Sequence, residues 1–175
     1  MKKFLSILIL LTAAFTGLQA QTYSNHLNFS AGYYFPRNLD ATVALEHETR
    51  YHNSWEYFFN YSIKYDKDEE AGHYTPSSFW KNNRIWSLGI AYKPCVTRAR
   101  NSHGNLRLGA AFGGRKHKEE DSKFQAVLLV GYEQSYNLRH GWQLFYQLRA
   151  DMMPGNTDFI KVGAALGLKV PLEKR

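Results

Sequence analysis

Eight charged residues fall on the polar side of the chain's alternating segments: Glu46, Glu48, Arg50, Arg107, Glu133, Arg149, Asp151 and Lys161. Carboxylates and cations that share a narrow space can pair into a plug, or they can line a path for protons or ions. Such charges must be paired or watered, because leaving one bare in a low dielectric is costly. A paired, stiffening network is the expected role for these eight. Seven histidines add possible ligands and bases. His47 and Glu48 are adjacent, and neighbours in a strand face opposite ways. His47 therefore falls on the apolar face, while His73 and His117 fall in loops. His117 with Glu119, Glu120 and Asp121 could hold a metal, but a run of this kind reads as a solvated charged face. Small barrels that trim lipid A use a Ser–His pair with a carboxylate, or a metal-bound water. No Ser–His–acid arrangement emerges from the strand pattern. Gly113-Gly114-Arg115 lacks the strand–helix context of a phosphate loop. The sequence thus predicts no catalytic, cofactor-binding or metal residue and no enzyme activity.

The elements that position these charges are strands. Between Trp55 and Tyr65 every second residue is large and apolar or aromatic: Trp55, Tyr57, Phe59, Tyr61, Ile63 and Tyr65. The residues between them, apart from Phe58, are polar. Period two is the signature of a strand with one apolar and one polar face. The same alternation recurs in seven further segments. They centre on Leu27–Phe35, Ala41–Tyr51, Trp86–Tyr92, Leu106–Phe112, Phe124–Glu133, Trp142–Asp151 and Ile160–Val170. Turn or loop composition separates them at Pro36–Asp40, His52–Ser54, Asp66–Asn83, Pro94–Gly104, Gly113–Lys123, Asn137–Gly141 and Met152–Asp158. Eight strands of about 9–12 residues match the length of a tilted transmembrane strand.

The chain has 175 residues and a net charge of +7. Met1-Lys2-Lys3, an apolar run from Phe4 to Leu11 and small residues to Ala20 read as a secretory signal peptide cleaved after Ala20. Residues 21–175 then form one domain. The residue after the cleavage site is Gln21 and not Cys, which argues against a lipid-anchored lipoprotein, and the single Cys95 excludes an internal disulfide. The positive charge is spread along the chain, unlike the basic stripe of a nucleic-acid binder. The aromatic rings alternate at strand period and are read as lipid-facing rather than as base-stacking platforms.

Alternation in an exported chain fits a soluble sandwich or lipocalin-like barrel with the apolar face inside. It fits equally an outer-membrane barrel with that face toward lipid. Three features favour lipid. The polar face is rich in small residues (Gly32, Ala44, Gly89, Ala111, Gly163, Gly167), which suit a narrow lumen filled by side chains. The apolar face carries about forty mostly large side chains, too many for the inside of an eight-stranded barrel. Rings sit at strand ends, where interfacial girdles belong: Trp55, Tyr65, Trp86, Tyr92 and Trp142. The expected fold is an all-β, eight-stranded antiparallel up-and-down transmembrane barrel in the outer membrane. Both termini and the turns at His52–Ser54, Pro94–Gly104 and Asn137–Gly141 then face the periplasm.

Three stretches resemble the TraO family of conjugal transfer proteins. They are Trp55–Tyr65 followed by a charged loop, Trp86-Ser-Leu-Gly-Ile-Ala-Tyr92 with Asn105-Leu-Arg-Leu-Gly-Ala-Ala-Phe-Gly113, and Gly155-Asn-Thr-Asp158 leading into Val162-Gly-Ala-Ala-Leu-Gly-Leu168. The family's Leu-Pro-Gly type beginning is not matched by Gln21–Leu27. The resemblance implies an outer-membrane part of a mating apparatus, with no catalytic residues to carry over. Its expected partners are outer-membrane lipid and other apparatus proteins, with no direct nucleic-acid binding and no cofactor. The alternatives are a general barrel that anchors or adheres through the charged loops Asp66–Asn83 and Gly113–Lys123, and a lipid-modifying barrel enzyme.

Overall fold

The computed structural model describes residues 22–49, 51–64, 83–116, 123–154 and 160–172. The leader, Arg50, Tyr65, His73 and His117 lie outside the described residues, as do nearly all of the Asp66–Asn83 loop and the centre of the Gly113–Lys123 loop. The strands are β1 (Thr22–Phe35), β2 (Asn38–Thr49), β3 (Ser54–Lys64), β4 (Asn83–Lys93), β5 (Cys95–Ala99), β6 (Ser102–Lys116), β7 (Lys123–Asn137), β8 (Gln143–Met152) and β9 (Ile160–Pro171). Every paired neighbour is antiparallel. The sheet runs β4-β3-β2-β1-β9-β8-β7-β6, and a β4–β6 pairing joins its two edges. The result is a closed eight-stranded barrel.

The short β5 continues the line of β4. Pro94 has no N–H to give to the ladder, yet its carbonyl still accepts from Leu106 N at 3.0 Å. Beyond it the pairing resumes from Cys95↔Asn105 to Ala99↔Ser102, with one register shift. The segment expected as an open turn at Pro94–Gly104 is therefore a strand extension. Two other boundaries also differ from the sequence reading. The first connection is only Pro36-Arg37, so Asn38 and Asp40 belong to β2, and Gly113–Lys116 belongs to β6. At Asn38–Asp40 the alternation runs on through residues of turn-like composition, whereas Cys95–Ala99 is mostly exposed and is held by its ladder to β6; in each case cross-strand pairing outweighs local propensity.

The polarity of the barrel is the reverse of a water-soluble domain's. Phe35, Phe112, Phe124 and Leu166 are exposed at 57–77% on the outer face, while eleven Asp, Glu, Lys and Arg side chains inside are at most 5% exposed. The sole helix among the described residues is the single 3-10 turn Arg139–Gly141, and none there is long and apolar enough to cross a membrane.

Among the described residues, three of the Phe, Tyr and Trp side chains break the rule and point inward: Tyr34, Phe58 and Phe145. Each sits directly across from a glycine on a neighbouring strand, in the pairs Tyr34↔Gly163, Phe58↔Gly89 and Phe145↔Gly167. A Cβ at any of these glycines would overlap both the facing ring and a backbone oxygen of an adjacent strand. The glycines let the rings lie flat against the wall, which is how an aromatic residue compensates a glycine in a curved sheet. Gly89→Val should lower stability by about 1–3 kcal/mol, the usual cost of overpacking. The check is the midpoint of urea unfolding in lipid vesicles, followed by tryptophan fluorescence.

Candidate functional site in the barrel lumen

Among the described residues, two ion clusters and one further carboxylate occupy the lumen. In the first cluster Asp40 on β2 faces Arg149 and Asp151 on β8 and Lys161 on β9. The Arg149 guanidinium lies 2.6 Å from Asp40 Oδ2 and 2.8 Å from Asp151 Oδ1. Lys161 Nζ lies 2.8 Å from Asp40 and 3.4 Å from Asp151. Arg149 has room to lie across the lumen because its neighbours on both adjoining strands are glycines, Gly131 and Gly163. Its guanidinium stacks 4.5 Å from the centre of the Tyr34 ring, which adds a cation–π contact.

The second cluster draws on six strands. Lys93 Nζ on β4 meets Glu46 at 2.8 Å, Glu56 at 3.0 Å and Glu133 at 2.7 Å. Lys169 on β9 meets Glu46 at 2.9 Å and Glu133 at 2.7 Å. Arg107 on β6 donates to Glu56 Oε1 through Nε at 3.0 Å and through Nη2 at 2.5 Å. Glu46 and Glu56 are direct cross-strand partners, an arrangement that repels unless a cation sits between them. Lys93 is that cation. Asn28 and Ser54 donate to Glu46 as well, at 2.5 and 2.6 Å. A buried charge is tolerated when it is paired and hydrogen-bonded; each ion of this cluster has a counter-ion within 3.0 Å, while Arg107 Nη1 keeps no hydrogen-bond partner.

Glu48 stands apart, nearer the end of the barrel that carries the His52 and Arg139–Gly141 turns, the turn end. Its ion partners are His26, 3.6 Å away, and His52. His103 completes the group, stacked on His52 with ring centres 4.4 Å apart.

Of the eight charges singled out in the sequence, Glu46, Arg107 and Glu133 meet in the second cluster. Arg149, Asp151 and Lys161 meet in the first, Glu48 belongs to neither, and Arg50 lies outside the described residues. Sequence reasoning missed Asp40, Glu56, Lys93, Lys169, His26 and His103, all buried in the lumen. Their signal was parity: each has the inward phase of its strand, and Asp40, Lys93 and His103 lie just beyond the expected strand ends. Of the aromatic set, Trp55, Tyr92 and Trp142 lie on the outer face at the turn end of the barrel and Trp86 lies at the other end, with Trp55 and Tyr92 packed 4.9 Å apart. Tyr65 lies outside the described residues.

No protein-family model and no curated protein matches the sequence. Solved structures do. Neisserial surface protein A aligns with a TM-score of 0.59 at 8% identity, over 84% of this chain and 94% of that one. A major outer membrane protein from Thermus thermophilus gives 0.57 at 13%, over 85% and 98%. The N-terminal β-barrel domain of Pseudomonas aeruginosa OprF gives 0.53 at 12%, over 85% and 97%. The fold is that of small outer-membrane β-barrels. At these identities the likeness concerns architecture, and the residues of the lumen are this chain's own.

Removing one partner from a buried ion cluster leaves the others uncompensated, at a cost of about 3–5 kcal/mol. Lys93→Met should lose that much, because it leaves the three carboxylates Glu46, Glu56 and Glu133 with Lys169 and Arg107 alone to balance them. Urea unfolding in vesicles measures it, with exposed Lys116→Met as the near-neutral comparison.

Proposed function

We propose that this protein is a non-enzymatic outer-membrane component of the cell envelope, held in lipid by its outer face and kept shut by its lumen ion clusters. The observation that carries this reading is the inverted polarity. A sheet that buries its charges and exposes Phe35, Phe112, Phe124 and Leu166 is matched to hydrocarbon outside and to its own ions inside. Barrels of eight strands have interiors that side chains fill, so the lumen is read as a plug rather than a solute pore. In that setting both termini and the extended β4–β6 hairpin lie on the periplasmic side, and Trp55, Tyr92, Trp142 and Trp86 serve as interfacial anchors.

The resemblance to TraO proteins gives the reading its context, an outer-membrane part of a mating apparatus that transfers DNA. What supports that narrower role is the set of residues quoted for the resemblance. Other apparatus proteins would be the partners, meeting the barrel at its rims, with no direct contact to nucleic acid.

The full chain should fractionate with outer membranes and shift on a detergent gel when boiled. It should also give no steady conductance in a planar bilayer. A donor strain lacking the gene should lose transfer frequency and regain it on complementation. A soluble periplasmic protein without the shift would overturn the membrane reading, while normal transfer by the deletion strain would overturn only the conjugative role.

A further inference from the structure

We propose that Glu48, His52 and His103 form a binding site for one divalent cation of the Zn2+ class at the turn end of the lumen. Two imidazole nitrogens and one carboxylate oxygen are a donor set that suits borderline metals rather than Ca2+ or Mg2+. One ligand atom from each of the three lies within 4.8 Å of the others. Ligands around tetrahedral zinc stand about 3.3 Å apart, as bond lengths near 2.0–2.1 Å dictate. Binding an ion would replace the direct His52–Glu48 hydrogen bond and turn the stacked His52 and His103 rings so that their in-plane lone pairs converge, and three protein ligands leave a fourth position for water or another small ligand.

Charge balance supports the site independently. The buried lumen charges among the described residues are the carboxylates Asp40, Glu46, Glu48, Glu56, Glu133 and Asp151, with the cations Lys93, Arg107, Arg149, Lys161 and Lys169. Asp40 and Asp151 are matched by Arg149 and Lys161. Glu46, Glu56 and Glu133 are matched by Lys93, Lys169 and Arg107. Glu48 is the carboxylate left over; its contacts are the imidazoles of His26 and His52 and long hydrogen bonds from Ser24 and Gln143, each 3.4 Å. A bound cation supplies the missing positive charge.

The orphaned atoms point the same way. His103 is 2% exposed and His26 3%, and the Nδ1 of each has no hydrogen-bond partner. Buried polar atoms are rarely left unpaired without a reason. His26 Nδ1 lies 3.6 Å from Glu48 Oε2, which suits a positioning residue that holds the carboxylate from behind. His52 occupies the β2–β3 turn with φ of +61°, an uncommon conformation outside glycine. That turn places its ring on His103 and against Glu48. The His52 side chain is 26% exposed, so the site opens toward the turn end, which the proposed topology places in the periplasm.

The test uses full-length protein without a histidine tag, extracted from membranes in detergent, stripped with a chelator and titrated with Zn2+ and Co2+. We expect one Zn2+ per chain, and a Co2+ complex with visible d–d absorption that Zn2+ displaces. His52→Ala, in the partly exposed turn, should lose the site while keeping the heat-induced gel shift of the folded barrel. His103→Gln should do the same, and His26→Gln should weaken binding by about 10–100-fold, as loss of an orienting partner does. A triple variant, His73→Ala with His117→Ala and His140→Ala, should still bind one ion. Absence of stoichiometric binding by the wild type would overturn the proposal, as would binding that survives His52→Ala and disappears in the triple variant. If His103→Gln does not fold, His52→Ala decides.

Discussion

From Arg84↔Lys116 to Tyr92↔Leu108, β4 and β6 exchange the backbone hydrogen bonds that turn a sheet into a cylinder. In hydrocarbon no water can satisfy an edge strand, so a membrane sheet must close on itself or fail. That closure fixes everything else about the molecule. It makes inside and outside inequivalent, so each residue's parity decides whether it meets lipid or lumen. It also sets a narrow interior, which must be filled by whatever the inward parity supplies.

The inward parity supplies charges, small residues and three rings. Glycines opposite the rings make the filling sterically possible. Lys93 and Lys169 make it electrostatically possible, each reaching carboxylates from two or more strands. These contacts tie β2, β3, β4, β7 and β9 together across the lumen, where no backbone ladder can reach. The network therefore closes the barrel internally as the β4–β6 ladder closes it around the wall. Glu48 is the exception to this pairing, and its histidine neighbours distinguish the turn end of the lumen from the rest.

Much of this was legible in the sequence because period two survives even where composition misleads. The face assignments of Trp55–Tyr61, Trp86–Tyr92 and Leu144–Leu148 follow from alternation alone, whereas Ile63, expected on the exposed face, is buried. Strand ends were less legible: Pro36–Asp40 and Pro94–Gly104 carry turn composition, yet tertiary pairing extends strands through most of both. That misplacement hid Asp40, Lys93 and His103 from the list of lumen groups. Glu56 and Lys169 had the correct parity but no local feature to mark them as hubs. Grouping was not legible at all, since Lys93 and Glu46 are far apart in the chain and meet only because the cylinder closes. The same holds for the meeting of His26 and His103 with Glu48, whose other partner, His52, lies only four residues away in the chain.

The most direct test of the inverted barrel is nitroxide scanning along β8 in lipid vesicles, on a Cys95→Ser background. Labels would be placed one at a time from Leu144 to Leu148, and collision rates measured with oxygen and with a polar nickel chelate. The account predicts a period-two pattern in which Leu144, Tyr146 and Leu148 are open to oxygen and shielded from nickel. Phe145 and Gln147 should be shielded from oxygen. Oxygen access at Phe145 and Gln147, with nickel access at Leu144, Tyr146 and Leu148, would mean that the apolar face is not in lipid. That result would contradict the account.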